Sequence, residues 1–266
     1  MIAIAHFVAI SCYVGAAALA AAPIARPVRA PVRLVIAALA LGVGAHAAAL
    51  VIAARQLGQL PVSGLGPALS LAGLMVAATL LVAEVVTRDV TLTLVGGPLA
   101  AAVTTIANVS GFAASAPAAG GAWLISHIAL SFFGIAAFAT SAAAGAMYLL
   151  ERRELRSRRF AAVLRFFPPL QTLDRVNHVG ILVASLALTL GIVLATTYSI
   201  AHNAMNLPEI IWGVAVWLAA TGLAFGRMLG GWQARRAALA ASVMFVVIVV
   251  LYVAVRMNVS VGGSFL

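Results

Sequence analysis

Long apolar runs alternate along this chain with short polar breaks. A membrane-spanning helix needs about 20 apolar residues at a rise of 1.5 Å each. Eight runs reach that length, at roughly 1–22, 34–54, 68–87, 90–113, 122–150, 179–200, 209–229 and 237–255. The breaks carry turn chemistry. Pro23, Pro27 and Pro31 block continuation of the first helix, because proline lacks the N–H that a helix interior uses. RQLGQLPVSGLGP follows the second run, ASAPAAGG the fourth, AHNAMNLP the sixth and GGWQARR the seventh. Between the third and fourth runs the break is only TRD, and Gly96–Pro98 predicts a kink in the fourth helix. The pattern predicts an all-α, polytopic integral membrane protein of eight transmembrane helices. It forms a single transmembrane domain over 1–266, with no soluble domain.

Composition agrees with the pattern. The chain is 64% hydrophobic and 8% charged, with a mean hydropathy of +1.14. No water-soluble core needs that much apolar surface. The formal charge of +10 comes from arginine alone among the basic residues, and the arginines sit between the apolar runs. That distribution is a topology signal and not a nucleic-acid footprint. With the N-terminus outside, the inner breaks hold Arg26, Arg29, Arg33, Arg88, Arg152, Arg153, Arg156, Arg158, Arg159, Arg165, Arg175, Arg227, Arg235 and Arg236. The outer side then holds only Arg55 and Arg256. Both termini are therefore expected on the outer, periplasmic side of a bacterial cytoplasmic (inner) membrane. The first arginine, Arg26, follows the first apolar run, so that run reads as a retained helix. Cys12 reads as a small buried hydrophobe.

Candidate chemistry rests on imidazoles. On this topology His6, His46, His127 and His202 fall in the outer half and His178 on the inner side. His127 stands about one and a half turns into the fifth helix. Its neutral imidazole suits axial ligation of haem iron, or an interhelical hydrogen bond to Ser or Thr. His46 lies at a comparable depth in the second helix, and the two could grip one iron if those helices are neighbours. His6 and His202 read as interfacial, and His178 as a surface residue. Trp217, about one turn deeper than Trp212, is placed either to pack on a flat cofactor or in the core. Glu84 and Asp89 flank Arg88, where pairing with an arginine is expected. There is no phosphate loop, nucleophile–base motif or Cys/His zinc pattern.

The order of features from Trp123 onward resembles the cytochrome c assembly family, of the CcsA/CcmC type. W-x3-H-I at Trp123–Ile128 is followed by a long apolar helix, ERRELRSRRF, PPLQTLDR at Pro168–Arg175, LALTLGIVLATTY, and PEIIWGVAVWLAATGLAFGRMLGGW at Pro208–Trp232. The likeness covers about 123–255, and the length most resembles the short YpjD-like branch. The resemblance implies a haem-binding, haem-handling protein of cytochrome c assembly at the outer membrane face, with His127 as a haem ligand and haem b as the cofactor. Two features depart from the family. SIAHNAMNLP carries no tryptophan before Pro208, and the tail VSVGGSFL carries no histidine. The resemblance therefore implies an assembly factor more than a complete cytochrome c synthase. A second ligand would come from His46 or, next, His202. Its partners would be the lipid bilayer, haem, and other membrane subunits or maturation proteins, with no nucleic acid. The alternatives are a non-catalytic subunit with a degenerate site, and a small-molecule permease suggested by the kink and by TTIANVS in the fourth helix.

Overall fold

In a computed structural model, residues 1–25, 30–58, 61, 65–112, 121–157, 168–202 and 207–259 are described. Among them there is no strand. Eight helices are long and apolar enough to cross a membrane. We number them α1 (Ile2–Ala20), α2 (Val32–Leu57), α3 (Leu65–Thr87), α4 (Thr93–Ser110), α5 (Gly121–Ser157), α6 (Leu170–His202), α7 (Leu207–Met228) and α8 (Ala234–Val259). A single helical turn, Ala22–Ala25, follows α1. Arg26, Arg29, Arg158, Arg159 and Arg165 lie outside the described residues, as do the side chains of His202, Glu209 and Arg256.

The ends follow from local chemistry. Gly58, at φ 69°, closes α2 in the left-handed conformation that glycine tolerates. Between α3 and α4 the Asp89 carboxylate accepts from the Thr91 N–H at 2.9 Å and its hydroxyl at 2.6 Å, a local turn. Glu84 then reaches across, accepting from the Thr93 N–H at 2.8 Å and from the Thr93 hydroxyl. One carboxylate thus satisfies a donor that the start of α4 leaves open. The arginine pairing expected for Glu84 gives way to this contact, because its side chain is fully buried. Pro98 lies inside α4. Helices α5 and α6 run past their apolar stretches, through ERRELRS and through LQTLDRVNH, as unbroken helix.

The helices gather into two compact units, α1–α4 and α5–α8. In the first, α1 packs on α2 and α4, and α3 packs on α2 and α4, closing a four-helix ring. Its centre holds Tyr13, Val35, Leu39 and Leu80. The Tyr13 ring lies over Gly42, where a Cβ would fall 2.7 Å from Cε1. In the second unit α5 and α6 form the longest contact, with α7 and α8 completing the bundle. Phe138, Ile181, Leu188 and Val216 fill its core, and Phe138 meets Phe245 edge to face at 6.0 Å. Aliphatic side chains such as Leu186, Leu190, Val246 and Val250 face outward, a surface suited to lipid.

Candidate functional site

Two polar constellations stand out, one in each unit. In the second unit, three ring N–H groups dock on adjacent turns of α6. His127 Nδ1 lies 2.7 Å from the Gly191 carbonyl oxygen. One turn earlier on α5, Trp123 Nε1 donates to the Leu194 carbonyl at 2.9 Å. From α7, Trp217 Nε1 donates to the Thr189 hydroxyl at 2.9 Å. A helix carbonyl keeps a second lone pair for such a donor, and α5 comes close enough to use it. A Cβ on Gly191 would meet the Ser131 hydroxyl at 3.0 Å.

A carbonyl oxygen only accepts, so the His127 Nδ1 must carry the proton. The neutral ring then keeps its lone pair on Nε2. A ring held in this way is the usual form of a metal-ligating histidine, whose other nitrogen donates to a carbonyl or carboxylate. The ring is half-buried. Trp217 also packs on the hydrophobic core of this unit. Thr189 and Gly191 are two residues apart, about 200° around the helix. Trp217 and His127 therefore approach α6 from different sides.

Deeper in the same unit, Asn177 is fully buried and ties three helices. Its Nδ2 donates to the Ser141 carbonyl and hydroxyl oxygens at 2.9 and 3.0 Å. Arg227 of α7 donates to its Oδ1 at 3.0 Å and pairs with Asp174 at 2.8 Å. The sequence offered no motif chemistry for Asn177. Its only signal was its place just after PPLQTLDR.

The first unit gathers His46 with a histidine that the sequence made interfacial. His6 is fully buried, as are His46 and Ser70. His46 Nε2 lies 3.0 Å and His6 Nε2 2.9 Å from the same Ser70 hydroxyl oxygen. Tyr13 meets His46 Nδ1 at 3.2 Å. The two imidazoles stand edge to face at 5.1 Å, and Phe112 stacks on His6 at 5.3 Å. Gly73 of α3 faces His46, where a Cβ would fall 3.4 Å from Cε1. His46 and His127 thus belong to different units. His202 is the last residue of α6. No group of three or more His, Cys, Asp or Glu side chains is placed to hold a metal ion among the described residues. The hydroxyls of Thr104 and Thr105, in the polar run of α4, bond back to the Ala100 and Ala101 carbonyls at 2.6 and 2.8 Å.

Comparison with known proteins brings in two findings. Protein HemX of Brevibacillus brevis is 36% identical over 74 residues, 26% of this chain and 27% of that protein. The chain thus matches about a quarter of that relative's length. No solved structure matches. The family model of the cytochrome C assembly protein matches residues 33–260, far more than half of the chain. With its eight spanning helices, this chain is a multi-pass membrane protein of the cytochrome c assembly family.

Proposed function

We propose that this protein handles haem b during cytochrome c assembly at the outer face of a bacterial inner membrane, with His127 as an axial ligand. The observation that carries this reading is the Nδ1 bond of His127 to the Gly191 carbonyl. It fixes the tautomer that offers Nε2 to iron. The family deals with haem, and the part-length likeness to a protein named HemX points the same way.

The protein's own contribution is orientation. Trp123 and His127 hold the start of α5 to α6 through two backbone carbonyls. The imidazole is therefore set before any ligand arrives, which lowers the ordering cost of binding. The iron would supply the redox-active, ligand-binding centre. In this reading Trp217 supports α6 from the α7 side and does not contact the cofactor. Nε2 of His46 is already directed at Ser70, so the reading rests on His127 alone. Arginine placement supports an outer position for the start of α5, since Arg152 and Arg153 lie at its other end.

The test is a reduced-minus-oxidised visible spectrum of the full chain, purified from haem-replete cells, beside His127→Ala and His46→Ala. A Soret band lost in His127→Ala and kept in His46→Ala is expected. A wild-type spectrum without any Soret band would remove the reading.

A further inference from the structure

The arginine-bearing ends of α5 and α8 bring together charges that the haem reading does not use. We propose that Arg153 and Arg235 form a headgroup site for an anionic phospholipid, whose chains lie along the lipid-facing side of the α5–α8 pair.

Two close contacts fix how these helices pack. The Ser242 hydroxyl donates to the Ala142 carbonyl oxygen at 3.1 Å. A Cβ on Gly145 would meet the Ala238 carbonyl oxygen at 2.8 Å. The helices are therefore antiparallel, with 142 beside 242 and 145 beside 238. Arg153 lies about 20° round α5 from Ala142 and about 80° from Gly145. Arg235 lies about 60° round α8 from Ala238 and about 20° from Ser242, in the same rotational sense. A two-fold axis relates a pair of antiparallel helices, so the same sense on both leads to the same side of the pair. The two arginines thus flank one groove. In this register Arg153 stands about one turn beyond the level of Arg235. Each Cα–Cβ bond tilts toward its own helix N-terminus. Arg153 therefore leans back into the membrane and Arg235 out of it, and the two side chains approach a common level. Arg235 is also the second residue of α8, where the helix end favours negative charge.

Exposure agrees with this placement. Both arginines are exposed. Leu150 of α5 and Leu239 and Val246 of α8 fall on the same side by the same count, and all three are exposed. Cations thus stand at one end of an aliphatic face, matching a phospholipid's headgroup and chains. The Trp232 ring rests against Gly226, where a Cβ would fall 3.0 Å from it. An indole three residues before Arg235 marks the headgroup level.

The charges are available. Among the described residues neither arginine forms an ion pair. The acids of this end are engaged or turned away. Asp174 pairs with Arg227 at 2.8 Å, Glu154 has a partner of its own, and Glu151 is buried about half a turn round from Ala142. Two unpaired guanidinium forks suit the oxygens of a phosphate diester. The aliphatic face beside them favours a lipid phosphate over a free one.

The test places the full chain in nanodiscs of equal parts phosphatidylglycerol and phosphatidylcholine. Native mass spectrometry then counts the lipids that stay bound once the disc is stripped. At least one phosphatidylglycerol per chain is expected to remain, in preference to phosphatidylcholine. Arg153→Gln and Arg235→Gln should each lower its retention about fivefold, and the double variant should abolish the preference. Arg33→Gln removes an arginine of the first unit and should leave retention unchanged. So should His127→Ala, which separates this site from the haem reading. A wild type with no preference for phosphatidylglycerol would overturn the proposal. So would an equal loss in Arg33→Gln, which would make the preference one of overall charge. Displacement of the lipid by an excess of inorganic phosphate would overturn it in favour of a soluble anion. The wild-type preference and its response to phosphate can be read even where a variant fails to fold.

Discussion

His127 Nδ1 sits 2.7 Å from the carbonyl oxygen of Gly191, where α5 passes close to α6. Residue 191 carries no Cβ, and a side chain there would crowd the contact. In Gly191→Ala the new methyl meets the Ser131 hydroxyl at 3.0 Å. The Ser131 hydroxyl must give by a few tenths of an ångström, crowding the turn of α5 that carries His127, at a cost of about 1 kcal/mol. Haem content by pyridine haemochrome should fall severalfold in Gly191→Ala, while thermal unfolding in detergent shifts only a little. Unchanged haem content would detach the ligand reading from this bond.

Asn177 is the polar knot of the second unit. In Asn177→Leu the Arg227 guanidinium loses one of its two partners, and the buried Ser141 carbonyl loses a donor. Buried groups left unmet cost about 1–3 kcal/mol each. Thermal unfolding should show this variant well below wild type, and below Trp123→Phe. The latter loses one bond at a half-exposed ring, worth about 1 kcal/mol or less.

Ser70 and Tyr13 belong to one hydrogen-bonded chain through His46. Ser70→Ala and Tyr13→Phe should each destabilise the protein by about 1–2 kcal/mol. Their effects should combine non-additively, since both act on the same imidazole. A double-mutant cycle by thermal unfolding checks this, and strict additivity would break the chain into independent contacts.

Glu84 has one oxygen on Thr93 and a second, buried Oε2 with no hydrogen-bond partner among the described residues. Glu84→Gln retains an oxygen for the Thr93 N–H, whereas Glu84→Ala leaves that donor open at the start of α4. The alanine variant should therefore be the less stable of the two, by about 1 kcal/mol or more. A calorimetric scan of both variants in one detergent decides the order.

The arginine distribution implies that both termini face the outer side. Alkaline phosphatase fused at the C-terminus should be active in a bacterial host, and green fluorescent protein fused there should stay dark. The reverse pattern would invert the topology, and with it the face at which His127 works.

All eight spans were legible in the sequence, because apolar runs of bilayer length have few other uses. Their ends moved where propensity outlasted hydropathy. ERRELRS and LQTLDRVNH are good helix formers, so α5 and α6 continue beyond the apolar stretch. W-x3-H and the family likeness single out His127 in the sequence. The Gly191 carbonyl that orients it was not legible, since a backbone acceptor on another helix leaves no mark in composition. His6 was misjudged for a related reason. Its position near a helix end suggests the interface, and only the packing of α1 against α2 and α4 encloses it. Ser70 and Tyr13 give no pattern until three helices bring them together.

Helix α5 has one more implication. It is continuous from Gly121 to Ser157. From His127 to Arg152 the helix rises about 38 Å, more than the hydrocarbon thickness of a bilayer. No break in the described helix interrupts it on the way. A tilt imposed on the arginine-bearing end, by lipid headgroups or by a neighbouring protein, would therefore be carried toward the imidazole. One unbroken helix would then link the two faces of the membrane mechanically, with no signal molecule required.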